Sequence, residues 1–240
     1  MSGHNKWSKI KRVKEIKDKI KGNTFSKLSR LITLAVIEGN GISDPESNFK
    51  LRMAIEKARN FNMPKENIQK AINNALGPDK SQLKEVIYEG FAPGGVGLLI
   101  ESTTDNPNRT LGEIRVVLDR HQGKLASQGA VGYLFKRYGQ IVFEKDQINE
   151  EKLYLFADQI GALDIDEVGE KYLVLVPYEN MGKIKEFLVD TKPNNIEIIY
   201  KPQTLISITD NETEQKIIQL IEALESLDDV QRVFTNYEKG

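Results

Sequence analysis

The 240-residue sequence has no cysteine, a single tryptophan and only two histidines. Without a thiol there are no disulfides, no thiolate metal sites and no thiol nucleophiles, which fits a chain working in a reducing cytosol. His4 and His121 stand far apart, so no zinc centre is expected, and neither a metal nor a cofactor. No G-x-S-x-G, H-E-x-x-H or Walker pattern occurs, and nothing in the sequence brings two carboxylates into one cleft. The expectation is a protein that is not an enzyme and has no small-molecule substrate. Long hydrophobic runs are missing too. Nothing approaches the roughly 18 uninterrupted apolar residues of a membrane helix. The opening MSGHNKWSKIKRVKEIK also lacks the apolar core of a secretory signal. A cytoplasmic location with no membrane partner is therefore expected.

What the sequence does have is charge, unevenly placed. Hydrophobic residues make up 39% and charged residues 29%, as in an ordinary globular protein, and the formal net charge is −1. That balance hides a division. Residues 1–70 hold 16 Lys and Arg against 7 Asp and Glu, a net of +9, which leaves −10 for the remaining 170. The first 30 residues are the extreme, with ten Lys and Arg opposed only by Glu15 and Asp18. Such a division marks a basic surface suited to polyanions, joined to acidic domains with other work to do.

Helical periodicity runs through residues 1–77. Ile10, Val13, Ile16 and Ile20 recur at helical spacing within 7–21, with lysines and Arg12 on the other faces. A second helix follows Thr24, read as its N-cap, and stops at Gly39-Asn40-Gly41. Asp44-Pro45 reads as a cap and first helical position for a third, and Met63-Pro64 restarts a fourth that ends at Gly77-Pro78. From about residue 84 the period shortens. Strand, glycine-rich turn and strand cover 86–102, a helix 107–121, and strands 123–127 and 131–135. The next elements are strand 140–143, helix 150–160, strands 162–168 and 171–176, helix 178–189 and strand 196–200, the β-α-β-β-α-β order of a ferredoxin-like module. The tail supplies strand 204–209, helix 213–227 and strand 230–235, completing a second such unit with 88–135. The fold expected is α+β: an N-terminal helical domain plus two ferredoxin-like domains, one inserted in the other. Their boundaries are 1–78 for the basic helical domain, 79–135 with 203–240 for a discontinuous α+β domain, and 136–202 for the insert.

Five motifs stand in order along this chain. They are Gly3-His4-Asn5-Lys6-Trp7 with Ile10-Lys11; Phe25-Ser-Lys27-Leu28-Ser-Arg30; Asp44-Pro45 with Asn48, Leu51-Arg52 and Ala54-Ile55; Asn62-Met63-Pro64; and the pair Tyr88-Glu89-Gly90-Phe91-Ala92-Pro93-Gly94-Gly95-Val96 with Thr104-Asp105-Asn106-Pro-Asn108-Arg109-Thr110. Together they resemble the YebC family (YebC/PmpR), the match running from residue 3 to Val230-Gln231-Arg-Val233-Phe-Thr235-Asn236. Asn5, Leu31, Gln122 and Ala130 depart from the residues usual there, Ser, Glu, Gly and Ser. The resemblance implies a three-domain cytoplasmic protein, described as a probable DNA-binding transcriptional regulator. It equally implies the alternative of a ribosome-associated translation factor that binds ribosomal RNA and relieves stalled translation, since family members include a mitochondrial translational activator.

The candidate nucleic-acid contacts are His4, Lys6, Trp7, Lys9, Lys11, Arg12 and Lys14 in the basic segment, with Lys27, Arg30 and Arg109 beyond it. Lysines and arginines displace counterions from a phosphate backbone, and Trp7 has either base stacking or core packing open to it. Arg109 is the one member of its motif that helix capping does not need. His121, at a helix C-terminus, suits a structural role. Pro93-Gly94-Gly95-Val96-Gly97 lacks the Gly-Lys-Ser/Thr ending of a phosphate loop and reads as a tight turn. The amide and arginine side chains considered for base reading (Asn5, Asn23, Arg30 and Asn48) fall on different elements, so weak sequence discrimination on duplex DNA is expected.

Overall fold

A computed structural model of the chain describes residues 24–77, 82–188 and 192–240. The expected basic helix over 7–21 lies outside them. The described residues form two compact units, one spanning residues 135–201 and the other the rest.

In the larger unit, helices α1 (Thr24–Glu38), α2 (Phe49–Asn60) and α3 (Lys65–Leu76) follow one another. Their apolar positions recur every three or four residues: Leu28, Ile32 and Ala35 on α1, Leu51, Ile55 and Ala58 on α2, Ile68, Ala71 and Ile72 on α3. These stripes meet in one buried cluster, each large aliphatic side chain contributing about 1.5–3 kcal/mol against exposure. Helix α2 begins later than the Asp44-Pro45 signal implied. Asp44 instead closes a single turn, its carboxylate accepting from the Glu46 N–H and the Ser47 hydroxyl. The N-cap is Asn48, whose Oδ1 accepts from the Leu51 N–H at 3.0 Å. Its Nδ2 donates to the carbonyls of Ala35 and Ile42, so one buried amide both caps α2 and holds the end of α1.

Strands β1 (Lys84–Phe91) and β2 (Gly97–Thr104) form a hairpin around a tight turn at Pro93–Gly95. Gly94 there has φ 75°, and a Cβ on it would lie 2.8 Å from Ile208 Cδ1, so only glycine fits. Helix α4 (Pro107–Arg120) and the short β3 (Lys124–Ala126) follow.

The smaller unit holds β4 (Phe135–Glu144), α5 (Glu150–Ile160), β5 (Asp164–Val168), β6 (Lys171–Pro177), the short α6 (Ile184–Phe187) and β7 (Asn195–Pro202). Its sheet order, β5-β6-β4-β7, is that of a ferredoxin-like fold. The helix expected over 178–189 is a 3₁₀ turn at Tyr178–Lys183 running into α6. Phe143 on β4 meets Phe156 on α5 edge-on, with ring centroids 5.4 Å apart.

The chain returns to the larger unit as β8 (Ile206–Ile208), α7 (Asn211–Glu225), β9 (Val230–Thr235) and β10 (Tyr237–Lys239). The larger unit's sheet has the order β3-β1-β2-β9, every neighbouring pair antiparallel. This too is ferredoxin-like, but the inner strand between β2 and β3 is β1, supplied from before the β2–α4–β3 crossover. Sequence periodicity had put a strand at 131–135 in that role. Residues 131–134 are instead a loop and a 3₁₀ turn, and β4 starts only at Phe135. The reason is Glu89. Its buried carboxylate accepts three backbone N–H groups, from Gly129 at 2.7 Å, Val131 at 2.5 Å and Gly132 at 2.8 Å. Amides committed to a carboxylate cannot join a ladder. Burial pushes the Glu89 carboxyl up, but the three donors outweigh it and hold it below its ordinary value.

Three helices end in the left-handed turn that usually carries glycine. Asn40 (φ 55°), Asn62 (φ 58°) and Gln122 (φ 60°) take that position after α1, α2 and α4. The Schellman bonds close each end: Gly41 N–H to Val36 O, Met63 N–H to Ala58 O and Gly123 N–H to Leu118 O. Gln122 has neither the small side chain nor the local hydrogen bonding that eases Asn into this region. The left-handed conformation costs an ordinary residue about 1–2 kcal/mol, and glycine returns roughly half of that gain as backbone entropy. Gln122→Gly should therefore raise stability by about 0.5–1 kcal/mol. A higher denaturant midpoint at unchanged slope is the expected reading, and an unchanged or lower midpoint would show that Gln122 is not strained.

Candidate nucleic-acid interface

Of the residues singled out from the sequence, His4, Lys6, Trp7, Lys9, Lys11, Arg12 and Lys14 lie outside the described residues. The remaining three, Lys27, Arg30 and Arg109, are placed, and all three point at the short stretch joining α7 to β9. Lys27 Nζ donates to the carbonyl of Glu225. Arg30 forms an ion pair with Asp229 Oδ1 at 2.5 Å and reaches the Thr103 carbonyl at 3.3 Å. Arg109 Nη2 lies 2.9 Å from Asp229 Oδ2 and 2.8 Å from Asp105 Oδ1.

Asp229 is the centre of this arrangement and is only 1% exposed. Besides the two guanidinium groups, its Oδ2 accepts from the hydroxyls of Thr110 at 2.5 Å and Thr104 at 3.0 Å. Its backbone carbonyl accepts from the Thr103 N–H. The motif from Thr104 to Thr110 thus has two tasks. Asn106 caps α4, accepting from the Arg109 N–H at 3.1 Å, with Pro107 in the first helical turn. Thr104, Arg109 and Thr110 together build the receptor for Asp229. Burial pushes the Asp229 carboxyl up, but hydrogen bonds from Thr110 and Arg109 and the Arg30 charge outweigh it and hold it below the ordinary range.

Nothing in the sequence had marked Asp229. The only signal was an arginine in a capping motif, Arg109, whose charge the cap itself does not require. Beside it is an open depression of about 500 Å³, lined by Arg30, Arg109, Asp105, Glu113, Asp228 and Asp229 among others. Four carboxylates against two guanidiniums leave that lining net negative, which does not suit a phosphate. Among the described residues no group of three or more His, Cys, Asp and Glu side chains is placed to hold a metal ion, and no helix is long and apolar enough to cross a membrane.

Removing one partner of a buried charge cluster strands the other. Asp229→Asn is accordingly expected to cost about 3–5 kcal/mol at pH 7 in denaturant unfolding. Because the folded carboxyl titrates below its ordinary value, its stabilisation is present above the unfolded pKa of about 4 and disappears as pH falls through the lower folded value. Wild type and variant should therefore converge on acidification. Equal stability at neutral pH would contradict the arrangement.

Two family models match the chain in tandem: "TACO1/YebC protein N-terminal domain" over residues 5–78 and "TACO1/YebC second and third domain" over residues 83–237. Curated relatives carry the name "Probable transcriptional regulatory protein". One from Pseudothermotoga lettingae is 44% identical over 99% of this chain and 94% of its own length. One from Syntrophomonas wolfei is 43% identical over 98% and 96%. The crystal structure of a conserved hypothetical protein from Aquifex aeolicus superposes with a TM-score of 0.80 at 42% identity, covering 93% of this chain and 92% of that one. These matches span both compact units and the basic N-terminal stretch, and the chain belongs to the TACO1/YebC family.

Proposed function

We propose that this protein is a DNA-binding regulator of transcription that works by binding and not by catalysis. The observation that carries this reading is the charge division, +9 over residues 1–70 against −10 over the rest. A surplus so concentrated raises the local density of polyanion and releases its counterions on contact. The name shared by its relatives, probable transcriptional regulatory protein, supports the same reading.

The placement of the described cations supports a grip by the N-terminal segment. Arg30 and Arg109 spend their charge on Asp229, so Lys9, Lys11, Arg12 and Lys14 are the better candidates for phosphate. The smaller unit offers little to a nucleic acid strand. A ferredoxin-like sheet that reads RNA stacks bases on aromatics of its two central strands. Here the centre of that face carries Gln140, Val142, Leu173 and Leu175, with a single aromatic on that face of the central strands, Tyr138, at the end of the ladder and Asp164 and Asp166 on the neighbouring edge strand.

For duplex DNA the logarithm of the binding constant should fall with log salt at roughly 0.9 per phosphate neutralised. Changing Lys9, Lys11, Arg12 and Lys14 to Gln should flatten that slope by about three to four. An unchanged slope would remove the N-terminal segment from the interface. Competition against structured ribosomal RNA at one stated salt separates the two polyanions. RNA winning at physiological salt would reassign the protein to a ribosome-associated translation factor.

A further inference from the structure

Helix α3 has an exposed side opposite its buried Ile68, Ala71, Ile72 and Ala75. Lys65, Asn67, Gln69, Lys70, Asn73 and Asn74 are all exposed on this one helix of 12 residues. Gln69 and Asn73 already pair, Nε2 donating to Oδ1 at 3.0 Å. Asn48 and Arg30, considered earlier for base reading, are occupied in the interior. The four amides of α3 stand at the surface instead.

The surroundings favour a polyanion. Residues 48–77 carry six Lys and Arg against two Glu; Lys50 pairs with Glu38 and Arg52 with Glu46, and Lys65 and Lys70 lie on α3 itself. Helix α2 closes with its Schellman turn and α3 starts four residues later, at Lys65. A protein partner would call for apolar or aromatic anchors, and the exposed side of α3 has none before Leu76. An amide side chain offers a donor and an acceptor together, which matches the N6 and N7 edge of adenine. A helix is about 10–12 Å wide with its side chains, and the major groove of B-form DNA is about 12 Å wide. The deep, narrow major groove of A-form RNA does not admit it.

We propose that the exposed side of α3 lies in the major groove of duplex DNA, with Asn67, Gln69, Asn73 and Asn74 reading base edges and Lys65 and Lys70 contacting the flanking phosphates. The inference rests on the DNA-binding reading above and replaces the expectation of weak sequence discrimination. Glu66, on the same side, discourages indiscriminate phosphate binding and accepts from a cytosine amino group.

The test uses the full chain and a pool of randomised DNA duplexes at one stated salt. Wild type should enrich a defined motif. The variant Asn67→Ala, Gln69→Ala, Asn73→Ala and Asn74→Ala should lose at least tenfold of its preference for that motif over scrambled duplex, with the salt slope unchanged. Alanine raises helix propensity at each position, so an unfolded variant is not the expected outcome, and circular dichroism checks it. In a second variant, Lys65→Gln and Lys70→Gln should flatten the salt slope by about two and leave the motif intact. Retention of the motif by the four-alanine variant would overturn the inference, as would a wild type that binds every duplex equally or binds RNA alone. Failure of wild type to bind any nucleic acid would instead overturn the functional reading itself.

Discussion

A carboxylate that is 1% exposed must find its counter-charges inside the protein or not ionise at all. Asp229 finds them in two arginines from distant parts of the chain, Arg30 on α1 and Arg109 on α4, and completes its shell with Thr104 and Thr110. Helix α1 belongs to the helical cluster, whereas Thr104, Thr110 and Arg109 belong to the α+β layer. Asp229 therefore fastens one to the other. Lys27, reaching the Glu225 carbonyl one turn earlier on α1, points at the same segment. Apolar packing alone tolerates sliding; a buried ion pair with two guanidinium partners fixes register and orientation.

The same economy runs through the motifs that mark the family. Glu89 uses its carboxylate to shape the loop from Gly129 to Gly132, while its neighbour Tyr88 donates its hydroxyl to the Pro107 carbonyl at 2.8 Å. Asn236, near the end of the match, accepts from the Gly97 N–H at 2.8 Å and so closes the hairpin from the far end of the chain. Most of the recognisable residues in the α+β layer thus hold backbone in place. Polar side chains committed inside the protein are unavailable to a partner.

How legible this was in the sequence depended on whether a signal was local. Helical stripes such as Leu28, Ile32 and Ala35 are local, and so is the Asn106-Pro107 start of α4; both could be read directly. The start of α2 was misplaced because Asp44-Pro45 is a good capping sequence, yet Asn48 competes successfully by bonding Ala35 and Ile42 as well. The strand expected at 131–135 failed because a carboxylate 40 residues away captures the amides, and no periodicity reports such a bond. Asp229 was invisible for the same reason, its partners lying about 120 and 200 positions upstream. The amides of α3 were visible all along, at helical spacing, but a reading organised by the apolar stripe looks away from the opposite side.

The claim that Asp229 joins the helical cluster to the α+β layer is tested most directly by a double-mutant cycle between Arg30 and Asp229. Arg30→Gln, Asp229→Asn and the double variant would be compared with wild type in denaturant unfolding at pH 7. A coupling energy of about 1–3 kcal/mol is expected, because neutralising either residue already removes the direct Arg30–Asp229 ion pair, so the second substitution cannot remove it again. Effects that simply add, to within about 0.5 kcal/mol, would show that the two residues act independently and that something else holds α1 in place.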